Sequence, residues 1–325
     1  MAENTTIEWA THTFNPWIGC TKISPACDNC YAANYGNRFG IEWGAGNPRK
    51  RTSESMWKQP LRWNRQAQIK QNAWENFKAQ YPDLTDEQLI ERGFIKPERP
   101  RVFCASLADV FDNEVDLQWR FDLFQLIAAT PHLDWLLLTK RLGNVERFAL
   151  DAIDTVKYST LLPTNVWLGI TICNQEEADR DIPKLLATPA AKRFVSIEPM
   201  LGEIDLDISK WGRCYHAGAS GKDHLVDHIE CACHLDWVIC GGESGKNARP
   251  LHPNWVRSLR DQCADAGVPF LFKQWGEFLH YGQTKENGAP QLKGNVSVIN
   301  SRIGKKQAGR LLDGVLHNEF PKGGE

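Results

Sequence analysis

Long apolar runs are missing from this chain: none approaches eighteen residues, which excludes a spanning helix by length. The first residues, MAENTTIEWATH, lack a charged stretch followed by an apolar one, so no secretory leader is read there. A strong charge of either sign is absent too. The formal net charge of −2 argues against a surface built throughout for polyanions, although local basic patches remain compatible with it. A cytoplasmic protein without a membrane partner is expected. With 325 residues, 42% hydrophobic, the chain can bury one large α/β core or two smaller ones.

Short apolar runs alternate with helix-length spacers. The runs are 101–106 (RVFCAS), 134–139 (DWLLLT), 165–171 (NVWLGIT), 193–198 (RFVSIE), 236–241 (DWVICG) and 269–273 (PFLFK), with one more before Cys20. Spacers such as 117–129 and 253–266 make these βα units, and a full or partial parallel βα barrel with insertions is the expected fold. An open doubly wound sheet is the alternative that periodicity leaves standing. The barrel is expected over 1–276, interrupted by a basic helical insertion at about 44–100 and a Cys/His-rich insertion at about 209–235. Residues 277–325 read as a C-terminal extension.

Each run ends in polar residues, and in a barrel such ends converge on one rim. Ser106, Asp109, Lys140, Arg141, Glu198, Gly241, Gly242, Glu243 and Lys273 are the candidates there. Taken singly, each also reads as a strand-end cap or a surface ion pair.

Ten cysteines in a chain of this size, with no secretion signal, point to metal ligands or redox groups rather than disulfides. Cys20, Cys27 and Cys30 lie in 19–32 (GCTKISPACDNCYA), among Gly, Pro, Asp and Asn that indicate an exposed loop. Structural zinc takes four ligands, so three thiols need His12 or a distant cysteine to complete such a site. A cubane [4Fe–4S] cluster on three thiolates instead leaves one iron open to substrate or cofactor. Inert buried thiols are the third reading.

The segments IEW (7–9), FNPWIGCTKISPACDNCYA (14–32), QPLRWNR (59–65), LLTKR (137–141), NVWLGITI (165–172), RFVSIEPMLG (193–202), DWVICGGESG (236–245) and FLFKQWGE (270–277) together resemble the phage-associated three-Cys-motif family. That family is regarded as radical-S-adenosylmethionine-like and distantly similar to spore photoproduct lyase. The resemblance implies a βα barrel with a [4Fe–4S] cluster on Cys20, Cys27 and Cys30, whose open iron chelates S-adenosylmethionine. Electron transfer from the cluster then yields a 5′-deoxyadenosyl radical that abstracts hydrogen from a substrate; an electron donor and a separately encoded partner protein are implied as well. Lys140, Glu198 and Glu243 are expected to serve the reaction. Ser106, Asp109, Gly241, Gly242 and Glu243 are expected to bind cofactor. The first cysteine gap is six residues where most of the superfamily has three. Gly-Gly-Glu follows about the sixth strand rather than the second, so its superfamily role is not carried over.

Two further segments stand apart. Residues 48–65 (PRKRTSESMWKQPLRWNR) interleave Arg49, Lys50, Arg51 and Arg62 with Trp57 and Trp63, a composition suited to single-stranded nucleic acid. A solvated helix with tryptophans packed on the barrel is the competing reading. Cys214, Cys231, Cys233 and His234 are candidates for an accessory zinc site, against a loop that is merely Cys- and His-rich. Beside the radical enzyme, a nucleic-acid-binding or partner-binding protein with a structural iron–sulfur or zinc site is therefore the alternative function.

Overall fold

Seven strands form one sheet: β1 (His12–Thr13), β2 (Arg101–Cys104), β3 (Asp134–Thr139), β4 (Val166–Thr171), β5 (Lys192–Ile197), β6 (Trp237–Gly241) and β7 (Phe270–Gln274). The computed structural model describes residues 3–38, 40–152, 161–206, 214–217, 223–226, 234–280, 283 and 300–321. Every neighbouring pair is parallel, and spatial order follows chain order from β1 to β7. That is barrel winding; a doubly wound sheet reverses its strand order at a switch point. Among the described residues β1 and β7 do not pair, so the sheet is a curled half-barrel.

Helices follow the strands on the outer face. α1 (Tyr31–Arg38) and α2 (Gln59–Lys78) lie between β1 and β2; α1 follows the thiol loop, and α2 falls within about 44–100, where the helical insertion was expected. α3 (Leu117–Ala128), α4 (Val145–Ala152), α5 (Gln175–Ala187) and α6 (Pro253–Asp265) complete the described layer of long helices. Their starts are chemically marked. Asp116 accepts from the Gln118 amide at 2.7 Å at the head of α3, and Asn174 accepts from the Glu177 amide at 2.9 Å at the head of α5.

Alternation along each strand divides the core in two. Trp135, Leu137, Leu168, Val195 and Phe272 face the helices. Phe103, Leu136, Trp167, Phe194 and Trp237 face inward, joined by Trp9 from the N-terminal segment and Phe320 from the C-terminal one. Two residues further along, the inward positions become polar: Thr171 after Gly169, Ser196 and Glu198 after Phe194, Lys273 after Leu271. The half-barrel thus has an aromatic floor beneath a polar bowl.

Gly169 shows how tightly that floor is built. A Cβ there would lie 2.2 Å from the Phe194 ring, so the ring occupies the space a side chain would need. Gly169→Ala is expected to cost roughly 1–3 kcal/mol by overpacking. Urea denaturation checks this, and an unchanged midpoint would mean that the ring has room to move.

In the C-terminal extension, the described residues around 317–320 form a strap on the barrel. The Phe272 amide donates to the His317 carbonyl at 3.0 Å, the Glu319 amide donates to the Phe270 carbonyl at 3.2 Å, and Leu271 bridges Asn318 antiparallel. The strap covers the β7 edge, which would otherwise offer unpaired amides to another chain. Phe320 then packs 5.2 Å from Trp237 while the Arg101 guanidinium sits 4.2 Å from its centroid, drawing the two sides of the floor together. No helix among the described residues is long and apolar enough to cross a membrane.

Candidate functional site

A cavity of about 590 Å³ opens above the floor, at the C-terminal ends of the strands. Cys20, Cys27 and Cys30 line it together with Ser106, Asp109, Lys140, Glu198, Gly242, Glu243 and Lys273. Seven residues expected on the rim therefore converge on the thiol loop. Cys104, Cys240 and Cys263 are buried in the core, and Cys173 is buried behind the loop with its Sγ 4.0 Å from Ser24 Oγ.

Local structure sets the spacing of the thiols. Cys20 follows Gly19, whose φ of +119° and close neighbour Arg49, 2.9 Å from a built Cβ, both demand glycine. Cys27 ends the 3₁₀ turn Pro25–Cys27, capped by Ser24 Oγ accepting from the Ala26 amide at 3.1 Å. Cys30 directly precedes α1, and its amide donates to the Cys27 carbonyl at 3.3 Å. The last two thiols thus share one turn, while the first is displaced by the intervening loop.

Three side chains fasten this loop to the rim. Arg249 donates to Glu243 through its backbone amide and Nε, both at 2.8 Å, and through Nη2 at 2.7 Å. The same guanidinium reaches the Pro25 carbonyl at 2.9 Å and Asp28 at 3.2 Å. Asn29 Nδ2 donates to Glu243 at 3.1 Å and to the Asn247 carbonyl at 2.9 Å. Burial alone pushes the Glu243 carboxyl up, but the hydrogen bonds from Arg249 and Asn29 outweigh it and hold the group below the usual carboxylate range. On the other side, Arg141 donates to the Thr21 carbonyl at 2.8 Å. Burial, with Asp109 and Asp112 nearby, pushes the Cys20 thiol up to about 12, against the opposing pull of Arg141. A thiolate at Cys20 therefore needs more positive charge than Arg141 supplies, which a metal centre would bring.

The remaining candidates divide by how fully they are engaged. Asp109 is a brace: it accepts from Thr139 Oγ1 at 2.8 Å, the Phe111 amide at 2.9 Å and the Lys140 amide at 3.1 Å. Ser106 Oγ accepts from Asn15 Nδ2 at 3.0 Å. Glu198 lies 3.0 Å from Lys273 Nζ and accepts from Ser196 Oγ at 3.3 Å. Gly241 makes room for Glu198, whose Oε1 would lie 2.7 Å from an added Cβ, and Gly242 lets the Trp275 carbonyl approach to 2.0 Å of the same built position. Both glycines serve close packing. Lys140 alone among these candidates presents a charged group with no ion pair or side-chain hydrogen bond among the described residues.

Among the described residues no three His, Cys, Asp or Glu side chains converge where one metal ion would sit. The thiols share a wall without meeting at a point. The thiolates of a cubane sit on different irons, so Cys20, Cys27 and Cys30, which line one cavity, are the residues that would hold such a group.

The family model described as "Protein of unknown function (DUF5131)" matches residues 4–321. The chain belongs to the DUF5131 family. A search of curated proteins and a search of solved structures each found no match. The family match spans the N-terminal segment, the thiol loop, all seven strands and the C-terminal strap.

The basic segment of this DUF5131 chain requires correction. Arg49 is not a surface contact for nucleic acid: its side chain is 1% exposed and its Nη2 lies 2.7 Å from Asp112. Its Nη1 donates to the Gly44 and Asn47 carbonyls at 3.0 and 2.8 Å, and its Nη2 to Thr21 Oγ1 at 2.8 Å. Trp63 is buried and stacks on His12 at 4.2 Å, so it offers no platform to a base. Trp57 packs edge-on to Phe14 at 5.7 Å and beneath the Arg51 guanidinium at 4.0 Å, and Arg51 is paired with Asp122 at 2.8 Å. Lys50 and Arg62 remain exposed, the latter paired with Glu3. Packing on the barrel is what the tryptophans do.

Of the second cysteine cluster, Cys231, Cys233 and the side chain of Cys214 lie outside the described residues. His234 is exposed, with Nε2 3.5 Å from Asp236. Reading the sequence missed Asn29 and Arg249 because their role depends on a partner brought in by the fold. It also missed the segment Thr5, Thr6, Ile7, Glu8 and Trp9, which lines the cavity and whose only signal was the IEW motif.

Proposed function

We propose that this chain is a radical-S-adenosylmethionine-type enzyme of the cytoplasm, similar to the phage-associated three-Cys-motif proteins, with a [4Fe–4S] cluster held by Cys20, Cys27 and Cys30. One observation carries the reading: of the described cysteines, those three line the cavity at the C-terminal ends of a parallel half-barrel. When bound, the cluster supplies the electron that splits the sulfonium of S-adenosylmethionine into methionine and a 5′-deoxyadenosyl radical able to take hydrogen from a substrate.

The chain's own residues prepare the place. Glu243, Arg249 and Asn29 hold the loop carrying Cys27 and Cys30 against the end of β6, while Arg141 and Arg49 hold the loop carrying Cys20. Lys140, whose ammonium has no ion pair among the described residues, offers it to an anionic group in the cavity. The Glu198–Lys273 pair is fixed by its own contacts and shapes the bowl between β5 and β7. The aromatic floor closes the half-barrel to water from below, where reactive species must be protected.

Anaerobic reconstitution tests the proposal. Full-length protein is expected to take up about four irons and, with a strong reductant and S-adenosylmethionine, to release 5′-deoxyadenosine and methionine even without substrate. Stoichiometric zinc with no iron after reconstitution would refute it. So would a verified full cluster that neither binds nor cleaves S-adenosylmethionine, which would favour a structural cluster.

A further inference from the structure

The N-terminal segment supplies three polar side chains that the proposed chemistry leaves unused. Glu8, Trp9 and Thr13 all line the cavity. Glu8 Oε2, Trp9 Nε1 and Thr13 Oγ1 are each shielded from solvent, and none has a hydrogen-bond partner among the described residues. Trp9 is 1% exposed and Thr13 is 5% exposed, so solvent does not serve them freely. Buried polar atoms are usually paired, and leaving them unpaired is costly; other described residues also carry unpaired ones, four of them indole N–H groups, but along this cavity Glu198 Oε1 is the one further case. Three in one segment of one cavity wall point to a ligand that completes them.

The chemistry of the three groups narrows the ligand. An ionised carboxylate only accepts, an indole N–H only donates, and a hydroxyl does either. A bare ammonium would meet Glu8 and leave the indole unmet, and a bare anion would do the reverse. A planar edge with adjacent N–H donors and acceptors meets both. Phe103 and Leu138 line the same cavity and offer the apolar surface against which a flat ring packs. Glu198 is not part of this set, because Lys273 already offsets its charge.

We infer that Glu8, Trp9 and Thr13 form a recognition subsite for a nucleobase edge in the floor of the cavity. This rests on the cavity itself and not on the cluster. The base has two sources: the nucleoside of a bound cofactor, or a nucleotide-type substrate.

Equilibrium titration of the full-length protein, as purified and again after iron reconstitution, tests the inference with adenosine, cytidine, guanosine and uridine as probes and ribose as the base-free control. At least one nucleoside is expected to bind more tightly than ribose, with Glu8→Ala weakening it tenfold or more and Thr13→Val about fivefold. Glu8→Gln preserves shape and removes the charge, so it carries the test if Glu8→Ala lowers the melting temperature; a threefold loss or more is expected there. Displacement of the bound nucleoside by S-adenosylmethionine would assign the base to the cofactor, and simultaneous binding would assign it to the substrate. No nucleoside exceeding ribose, or nucleoside binding indifferent to Glu8→Gln and Thr13→Val, would overturn the subsite. Because the iron-free protein is titrated as well, that failure would leave the cluster proposal to its own iron count.

Discussion

After anaerobic reconstitution, Cys20→Ala, Cys27→Ala and Cys30→Ala proteins are each expected to lose the iron–sulfur absorption entirely, while Cys104, Cys173 and Cys263 variants keep it. The expected loss is complete because three thiolates leave no spare protein ligand: removing one exposes a second iron, and the cluster has only two anchors. Cys30 is the sharpest case. It stands at the head of α1 and lines both the cavity at the strand ends and a neighbouring one of about 610 Å³, so its removal disturbs little packing. Cys173 is the demanding control, because its Sγ lies 4.0 Å from Ser24 Oγ at the back of the thiol loop. Iron retained in Cys30→Ala and lost in a Cys173→Ser protein that still melts normally would transfer the third ligand to Cys173 and refute the present set. Iron per chain, counted alongside the spectrum, distinguishes a lost cluster from a bleached one.

How much of this was legible beforehand depended on the range of the interaction. Strands were readable because their period is local: all six apolar runs after Cys20 became strands, and 117–129 and 253–266 became α3 and α6 within a residue or two. Winding order was not readable, since it lies in pairings such as Val238 with Val195, which periodicity does not encode. The rim residues were found because strand ends are local, yet their duties were not. Glu243 was expected to serve the reaction and bind cofactor, but nothing local showed that it would hold Asn29, 214 positions away in sequence. The same limit explains the basic segment. Arg49 and Lys50 are adjacent and chemically alike on paper, but one is drawn inside by a carboxylate 63 positions away and the other stays in water. Composition records charge, not which charges the fold pairs.

Arg49→Ala is accordingly expected to destabilise the protein by about 3–5 kcal/mol, the cost of stranding one partner of a buried ion pair. The stranded group is Asp112, also 1% exposed at its side chain, with Arg141 left 3.6 Å away as its nearest remaining cation. More than charge is lost. The guanidinium fork simultaneously holds Asp112, the Gly44 and Asn47 carbonyls and Thr21 Oγ1, so its removal also releases the residue next to Cys20. Arg49→Lys restores the charge but not the planar set of donors and is expected to recover only part of the loss. Lys50→Ala, one position on and exposed, is expected to stay within about 0.5 kcal/mol of the parent. Guanidinium denaturation of the four proteins measures these differences. The nucleic-acid reading makes the opposite forecast: a phosphate-contacting Arg49 would leave stability nearly unchanged on truncation while weakening oligonucleotide binding and flattening its salt dependence. A stable Arg49→Ala protein with that binding defect would return the segment to nucleic acid. A destabilised one with faster hydrogen exchange at Cys20 and Thr21 would establish that this arginine holds the first thiol of the cavity in place.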